Sequence, residues 1–182
     1  MNAVRPQLSI AISAAIVSIL LGAADACGQT ADPPSQFDAA TAFAHLRHVC
    51  EIGPRPSTST GMQAQQTYLQ DHFASLGGVV TMQPFHVADP RTGNQVQLSN
   101  MLVRWHPDRQ RRLLFCCHYD TRPFPDRDPH DPTGIFIGAN DGGSGVAVLC
   151  ELGRHIPAMS GTFGVDLLFF DGEEFVYVHR RD

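Results

Sequence analysis

Residues 113–120 read LLFCCHYD, an uninterrupted apolar run that ends in polar side chains. A second run of this kind begins at Val165 and ends in FFDGEE at 169–174. Apolar runs of this length, without polar alternation, are typical of strands that are buried on both faces, as in parallel sheets covered by helices. The two runs therefore predict two such strands, each followed directly by acidic residues.

Helices and further strands are predicted around these two runs. The spacing of apolar residues predicts helices over 37–49, 61–76 and 143–155, and strands over 79–87 and 96–105. Strands that alternate with helices indicate an α/β fold. We expect a three-layer α/β/α sandwich with a mixed, centrally parallel sheet.

The first 26 residues have the composition of an export signal. Arg5 precedes an apolar run over 8–21, and Ala24 and Ala26 put small residues before the expected cleavage point. The run is shorter than the roughly 20 residues that a membrane span requires. We therefore expect export to the periplasm or the extracellular space, with no stable membrane span in the mature chain.

Three segments follow from this interpretation. Residues 1–26 are predicted to be a signal peptide, 27–36 a polar linker, and 37–182 the N-terminal portion of one enzyme domain. Cys27 directly follows the predicted cleavage point, so lipoprotein anchoring at Cys27 is an alternative, although Asp25 fits that processing pattern poorly.

The charge of the chain excludes several classes of partner and of chemistry. The formal net charge is -5, whereas nucleic acids and anionic membranes favour basic surfaces, so we expect no nucleic-acid partner. All 13 basic residues are arginines. The absence of lysine excludes a Schiff-base lysine and a Walker-type phosphate loop.

Polar residues cluster where the predicted strands end and where a helix begins. His118 and Asp120 follow the first apolar run, Asp141 lies in a glycine-flanked turn before a helix, and Glu173 and Glu174 follow the second run. In open α/β sheets, sites form beyond the carboxyl ends of the strands. Imidazole and carboxylate ligands fit zinc, and of two adjacent glutamates one can bind the metal while the other transfers a proton.

Each of these signals is weak alone. A histidine at a strand end is usually structural, an acidic pair is usually a solvated corner, and Asp141 by itself is more typical of a helix N-cap. Their joint occurrence at predicted turns favours a metal site.

Five ordered motifs lie within roughly residues 37–175: GPRPS at 53–57, SNM at 99–101, HYDT at 118–121, GAND at 138–141 and FFDGEE at 169–174. In these motifs the chain resembles the family that holds zinc aminopeptidases and glutaminyl-peptide cyclotransferases. The first and last motifs are closest to the cyclotransferases, in particular to bacterial glutaminyl cyclases. The extended run NDGGSG at 140–145 is more similar to the aminopeptidases, so the subgroup stays open.

The resemblance implies roles for the candidate residues. Asp141 and Glu174 would be zinc ligands, and Glu173 would be the proton-transfer acid. Asp120 would not bind the metal itself but would help to orient the ligands. A single zinc ion is expected in a cyclotransferase, which converts N-terminal glutamine to pyroglutamate and releases ammonia. Two ions are expected in an aminopeptidase, where Asp141 would bridge them and His118 would bind the second. In either case the partner is a peptide or protein N-terminus.

The resemblance also shows a departure. Family members continue well beyond the Glu-Glu turn and take a further ligand, typically a histidine, from there, whereas this sequence ends at Asp182. We therefore expect the 182-residue chain by itself to bind zinc weakly and to have little activity. An inactive, truncated binding module is the remaining alternative.

Overall fold

The computed structural model describes residues 36–175. The predicted signal peptide and almost all of the predicted linker lie outside the described residues. In chain order the elements are α1 (Ala39–Ile52), α2 (Thr60–Ser75), β1 (Val79–Ala88), β2 (Gln95–Trp105), β3 (Arg111–His118), a π-helical turn (Ala139–Gly143), α3 (Ser144–Gly153), a short 3-10 helix (Ile156–Ala158) and β4 (Phe163–Phe170). Every predicted helix and strand is present, with bounds close to those expected.

The four described strands form one mixed sheet in the order β1-β2-β4-β3. β1 pairs antiparallel with β2, β2 pairs antiparallel with β4, and β3 pairs parallel with β4. The predicted α/β class and mixed sheet are therefore confirmed. The parallel pair consists of the two strands that carry the apolar runs, and it lies at one end of the described order.

Local sequence signals explain where the first two helices begin. Asp38 caps α1, because its carboxylate accepts a hydrogen bond from the Ala40 N–H at 2.8 Å. Ser59 caps α2 in the same way through the Met62 N–H at 3.1 Å. Such caps satisfy amide groups that have no partner within the helix.

The hydrophobic core lies between the helices and one face of the sheet. Phe73 of α2 is fully buried and contacts Trp105 and Phe169, with ring centroids 5.9 Å and 5.5 Å apart. Val146 and Cys150 of α3 are also fully buried in this cluster. The core therefore fixes the helices against β2 and β4.

The prediction that residues 113–117 are buried on both faces is wrong for the described residues. Leu114 is 56% exposed and Phe115 is 42% exposed. β3 is at the end of the strand order, and the described helices cover one face of the sheet only. The second apolar run is largely buried, as predicted, although Phe170 at its end is 40% exposed.

Within residues 36–175, no helix combines the length and the apolar character that crossing a bilayer requires.

Candidate metal centre

The parallel pairing of β3 and β4 brings the two acidic turns together. His118 at the end of β3 is in register with Phe170 at the end of β4, so the carboxyl ends of both strands lie at the same end of the sheet. The chain continues from these points into Asp120 and into Glu173. The spatial grouping expected from the sequence therefore follows directly from the strand register.

His118 lies at the centre of the acidic residues. Its Nε2 is 3.3 Å from Asp141 Oδ1, and its Nδ1 is 3.6 Å from Asp120 Oδ1 and 3.9 Å from Glu173 Oε2. Nδ1 is buried and has no hydrogen-bond partner. Asp120, followed by Glu173 and Asp141, raises the pKa of His118 to about 9, because three nearby carboxylates favour the charged ring.

Asp120 holds the turn that follows β4. Its side chain is completely buried, and its Oδ2 accepts a hydrogen bond from the Glu174 N–H at 2.8 Å. Its Oδ1 accepts a longer hydrogen bond from the Glu173 N–H at 3.3 Å. One buried carboxylate thus fixes the backbone of both glutamates and also faces His118.

The turn that carries Asp141 depends on glycine. Gly142 has φ +80°, and a Cβ there would be 2.9 Å from the Asp120 carbonyl oxygen and 3.3 Å from the His118 ring. A side chain would therefore be strained by the backbone and would also collide with the site. Asp141 itself is not a helix cap, because α3 begins after Gly143 and has no side-chain cap. The N-cap interpretation of Asp141 is therefore wrong.

The two glutamates have different surroundings. The Glu173 side chain is 59% exposed, whereas the Glu174 side chain is 10% exposed. Glu174 Oε2 forms an ion pair with Arg122 Nε at 2.7 Å. Burial raises the pKa of Glu174, and Arg122 opposes that rise. Arg122 also binds Asp126 at 2.7 Å. The difference suits Glu173 for contact with a substrate and Glu174 for a fixed position.

Asp171 is a buried residue that the sequence reasoning did not single out. It accepts hydrogen bonds from the Ser57 hydroxyl at 2.6 Å and from the Ser99 N–H at 2.9 Å, and its own N–H donates to Asn100 Oδ1 at 3.0 Å. Ser57, Ser99 and Asn100 all belong to the motifs that carry the family resemblance. Their role in this fold is to anchor the start of the glutamate turn.

Arg55 was also not predicted as part of the site. Its guanidinium is fully buried and donates to the carbonyl oxygens of Val49 at 3.2 Å, Gly53 at 2.6 Å and Gly138 at 3.2 Å. The backbone of Arg55 exchanges hydrogen bonds with Thr121, directly after Asp120. Arg55 therefore joins the end of α1 to the loops on both sides of the candidate site.

The donor types suit zinc, whereas the present spacing does not form one compact ligand set. Imidazole nitrogen and carboxylate oxygen are ordinary zinc ligands, and His118 Nδ1 is a buried polar atom that faces Asp120 and Glu173 without a hydrogen bond. Among residues 36–175, however, the group of three donors with ligand atoms all within 4.8 Å is His45, His72 and Cys150. His118 and Asp141 are close together, while the Glu174 carboxylate is paired with Arg122.

A cleft of about 630 Å³ opens beside Asp141. The loop after β3 forms most of its wall, including Arg122, Asp126 and Phe136. The cleft therefore brings solvent, and any molecule that enters it, to Asp141.

Comparison with known proteins confirms the predicted resemblance. Residues 100–178 match the model of peptidase family M28. A glutaminyl-peptide cyclotransferase of Drosophila melanogaster is 28% identical over 137 residues, which cover 71% of this chain and 36% of that protein.

Solved structures that are similar in fold and in sequence include a glutaminyl cyclase and a leucine aminopeptidase precursor. The Fimbriiglobus ruber glutaminyl cyclase has a TM-score of 0.74 at 36% identity, and the match covers 82% of this chain and 51% of that one. A leucine aminopeptidase precursor from Bacteroides thetaiotaomicron has a TM-score of 0.74 at 28% identity, and the match covers 83% and 52%. The chain thus spans about half the length of these structures and about a third of the Drosophila melanogaster protein.

Proposed function

We propose that this chain carries part of the active site of a zinc-dependent, exported enzyme that converts N-terminal glutamine of peptides to pyroglutamate. The observation that carries the proposal is the pair of adjacent glutamates on a turn fixed by the buried Asp120. The similarity to glutaminyl cyclases supports the substrate class.

The residues divide the chemistry between them. Asp141 and Glu174 would hold a zinc ion, which supplies a Lewis acid for the γ-amide of the glutamine. The exposed Glu173 carboxylate would accept a proton from the attacking α-amine and deliver it to the departing ammonia. Asp120 fixes the backbone of Glu173 and Glu174 through two hydrogen bonds, and the His118 ring lies beside Asp120 and Asp141.

An aminopeptidase is the second candidate. It is favoured by the contact of 3.3 Å between His118 Nε2 and Asp141 Oδ1, because adjacent imidazole and carboxylate ligands suit a second metal ion. The similarity to the leucine aminopeptidase precursor agrees with this alternative. Glu173 would then activate water for attack on the first peptide bond.

The experiment compares the chain alone with a joined protein. In the joined protein, residues 37–175 replace the matching half of the Fimbriiglobus ruber glutaminyl cyclase. Zinc content is measured by metal analysis, ammonia release is measured with a glutamine-initiated peptide, and hydrolysis is measured with an aminoacyl amide. We expect weak zinc binding and little turnover for the chain alone, and zinc-dependent ammonia release for the joined protein.

Glu173→Gln in the joined protein separates chemistry from binding. We expect kcat for ammonia release to fall roughly 10²–10⁴-fold with zinc content unchanged, because a positioned proton donor and acceptor is lost. Asp89→Asn, in the turn between β1 and β2, is the matched control. A folded, zinc-loaded joined protein that acts on neither substrate would contradict both candidates, and hydrolysis without ammonia release would favour the aminopeptidase.

A further inference from the structure

Three helices place one metal-binding side chain each at a common point away from the acidic site. His45 is on α1, His72 is on α2, and Cys150 is on α3. One potential ligand atom of each lies within 4.8 Å of the others. Cys150 is completely buried, while both histidines are partly exposed, so the point lies at the edge of the core.

The hydrogen bonds of both histidines leave a ring nitrogen available. His72 Nε2 is 3.0 Å from the Cys150 carbonyl oxygen. A carbonyl only accepts, so Nε2 carries the proton and Nδ1 keeps its lone pair. His45 Nδ1 contacts the Tyr68 hydroxyl, and donation from Nδ1 to that oxygen leaves the His45 Nε2 lone pair free. Histidines that bind metals commonly donate their other N–H in this way.

We propose that His45, His72 and Cys150 form a second metal site, which takes a borderline or soft cation of the Zn²⁺ or Cu⁺ class. Two imidazoles and a thiolate are a donor set that hard cations such as Mg²⁺ and Ca²⁺ do not favour. The partial exposure of the histidines leaves a fourth position for water. This site is independent of the proposed catalytic function, since it shares no residue with the acidic cluster.

Binding would tie together three segments that are distant in sequence. On coordination, the Cys150 thiol gives up its proton to solvent and its sulfur binds the cation, so one proton is released for each ion bound. A ligand that binds only the folded state stabilises it in proportion to the logarithm of its concentration above Kd. The site would therefore add a cross-link within the helical layer.

Cobalt(II) is a direct probe of this site, because thiolate coordination gives an intense near-ultraviolet charge-transfer band that carboxylate or imidazole ligands do not give. The full chain is stripped of metal, kept reduced and titrated with Co²⁺. We expect one thiolate band that saturates at one ion and that Zn²⁺ abolishes by displacement, together with a Zn²⁺-dependent rise in Tm.

Four variants test the assignment. Cys150→Ser should abolish the band, and His45→Gln should weaken Co²⁺ binding by at least about tenfold, the smallest loss typical even for partners of metal ligands. Cys116→Ser alters an exposed thiol outside the cluster and should leave the thiolate band unchanged. Asp141→Asn should weaken metal binding in the acidic site only, so the thiolate band should also persist in that variant.

The outcome is decided by the band and by folding, which circular dichroism monitors. No band in the parent chain, or a band that persists in folded Cys150→Ser, would overturn the proposal. If Cys150→Ser does not fold, the partly exposed His45→Gln decides, and unchanged Co²⁺ affinity in that variant counts against the site.

Discussion

Strand β4 carries one carboxylate that is paired with arginines, and it leads into a group of carboxylates that outnumber the nearby cations. Asp166, in the middle of the strand, binds Arg112 Nε at 2.6 Å and Arg104 Nε at 3.1 Å. At the carboxyl end of the same strand, Glu173 and Glu174 join the acids from neighbouring turns around His118. One group is matched by arginines, and the other has more acids than nearby cations.

The pKa directions record this difference. The Arg112 guanidinium holds the pKa of Asp166 below its usual value. Burial raises the pKa of Glu174, although Arg122 is paired with it. A carboxylate with a lowered pKa stabilises the fold by its charge, whereas a pKa raised by burial means that the charged form is disfavoured in the folded state. The comparison therefore separates a structural ion pair from the proposed metal site.

The largest effect should come from Asp120→Asn in the joined protein. The change removes a negative charge beside the proposed zinc ligands. It also replaces one of the two oxygens that accept hydrogen bonds from the Glu173 and Glu174 N–H groups by an NH₂ donor. We expect zinc affinity to fall roughly 10–100-fold, as is typical for groups that orient metal ligands. Competition with a chromogenic chelator measures this affinity, and Asp166→Asn is the control that should leave it unchanged. Equal losses in both variants would remove the distinction between the two groups.

Asp166→Asn should act on stability. Arg112 would lose its carboxylate but keep its hydrogen bonds to the carbonyl oxygens of His106, Arg109, Trp105 and Val165. We expect the free energy of unfolding to fall by about 2 kcal/mol, less than for a fully buried pair. Urea unfolding measures the change. Arg104→Gln is the matched control and should cost under about 1 kcal/mol, because the Arg104 side chain is 44% exposed.

The smallest effect should be the pH dependence that His118 gives to the metal-free chain. Its pKa is raised from 6.5 to about 9, so the charged ring stabilises the fold. This contribution is complete below pH 6.5 and is lost as the pH rises through 9. We expect about 1 kcal/mol, because the 3.6 Å contact with Asp120 is longer than a hydrogen bond and the ring is partly exposed. Unfolding in chelator from pH 6 to pH 9.5 should show this loss, and His118→Gln should remove it.

Sequence reasoning predicted the elements because the local signals agree with the final packing. The helix of 60–75 has its serine cap and an inward apolar stripe, and the turn between β1 and β2 has its glycine. The grouping of the acids after β3 and β4 was predictable, because parallel neighbouring strands end at the same end of the sheet. Asp141 joins them from the turn before α3. The assignment of zinc ligands among them stays a prediction.

The remaining features depend on long-range partners that leave no local pattern. An apolar run such as residues 113–117 indicates that the strand is compatible with burial on both faces. It does not show which of the two faces the described helices cover. The pairing of Glu174 with Arg122 and the burial of Arg55 join loops that are distant in sequence. Only the folded arrangement reveals such partners.

The buried Arg55 restricts which substitutions this chain can accept. Its two terminal nitrogens reach the carbonyl oxygens of Val49 within α1, Gly53 directly after that helix, and Gly138 before the π-helical turn. Within residues 36–175 no carboxylate hydrogen-bonds or pairs with it. A planar fork can serve several acceptors at fixed angles, whereas an ammonium group is a compact, strongly hydrated charge that is costly to bury. Lysine is therefore a poor replacement for arginine at this position. The neighbouring segments can vary in sequence only if their carbonyl groups still face the guanidinium.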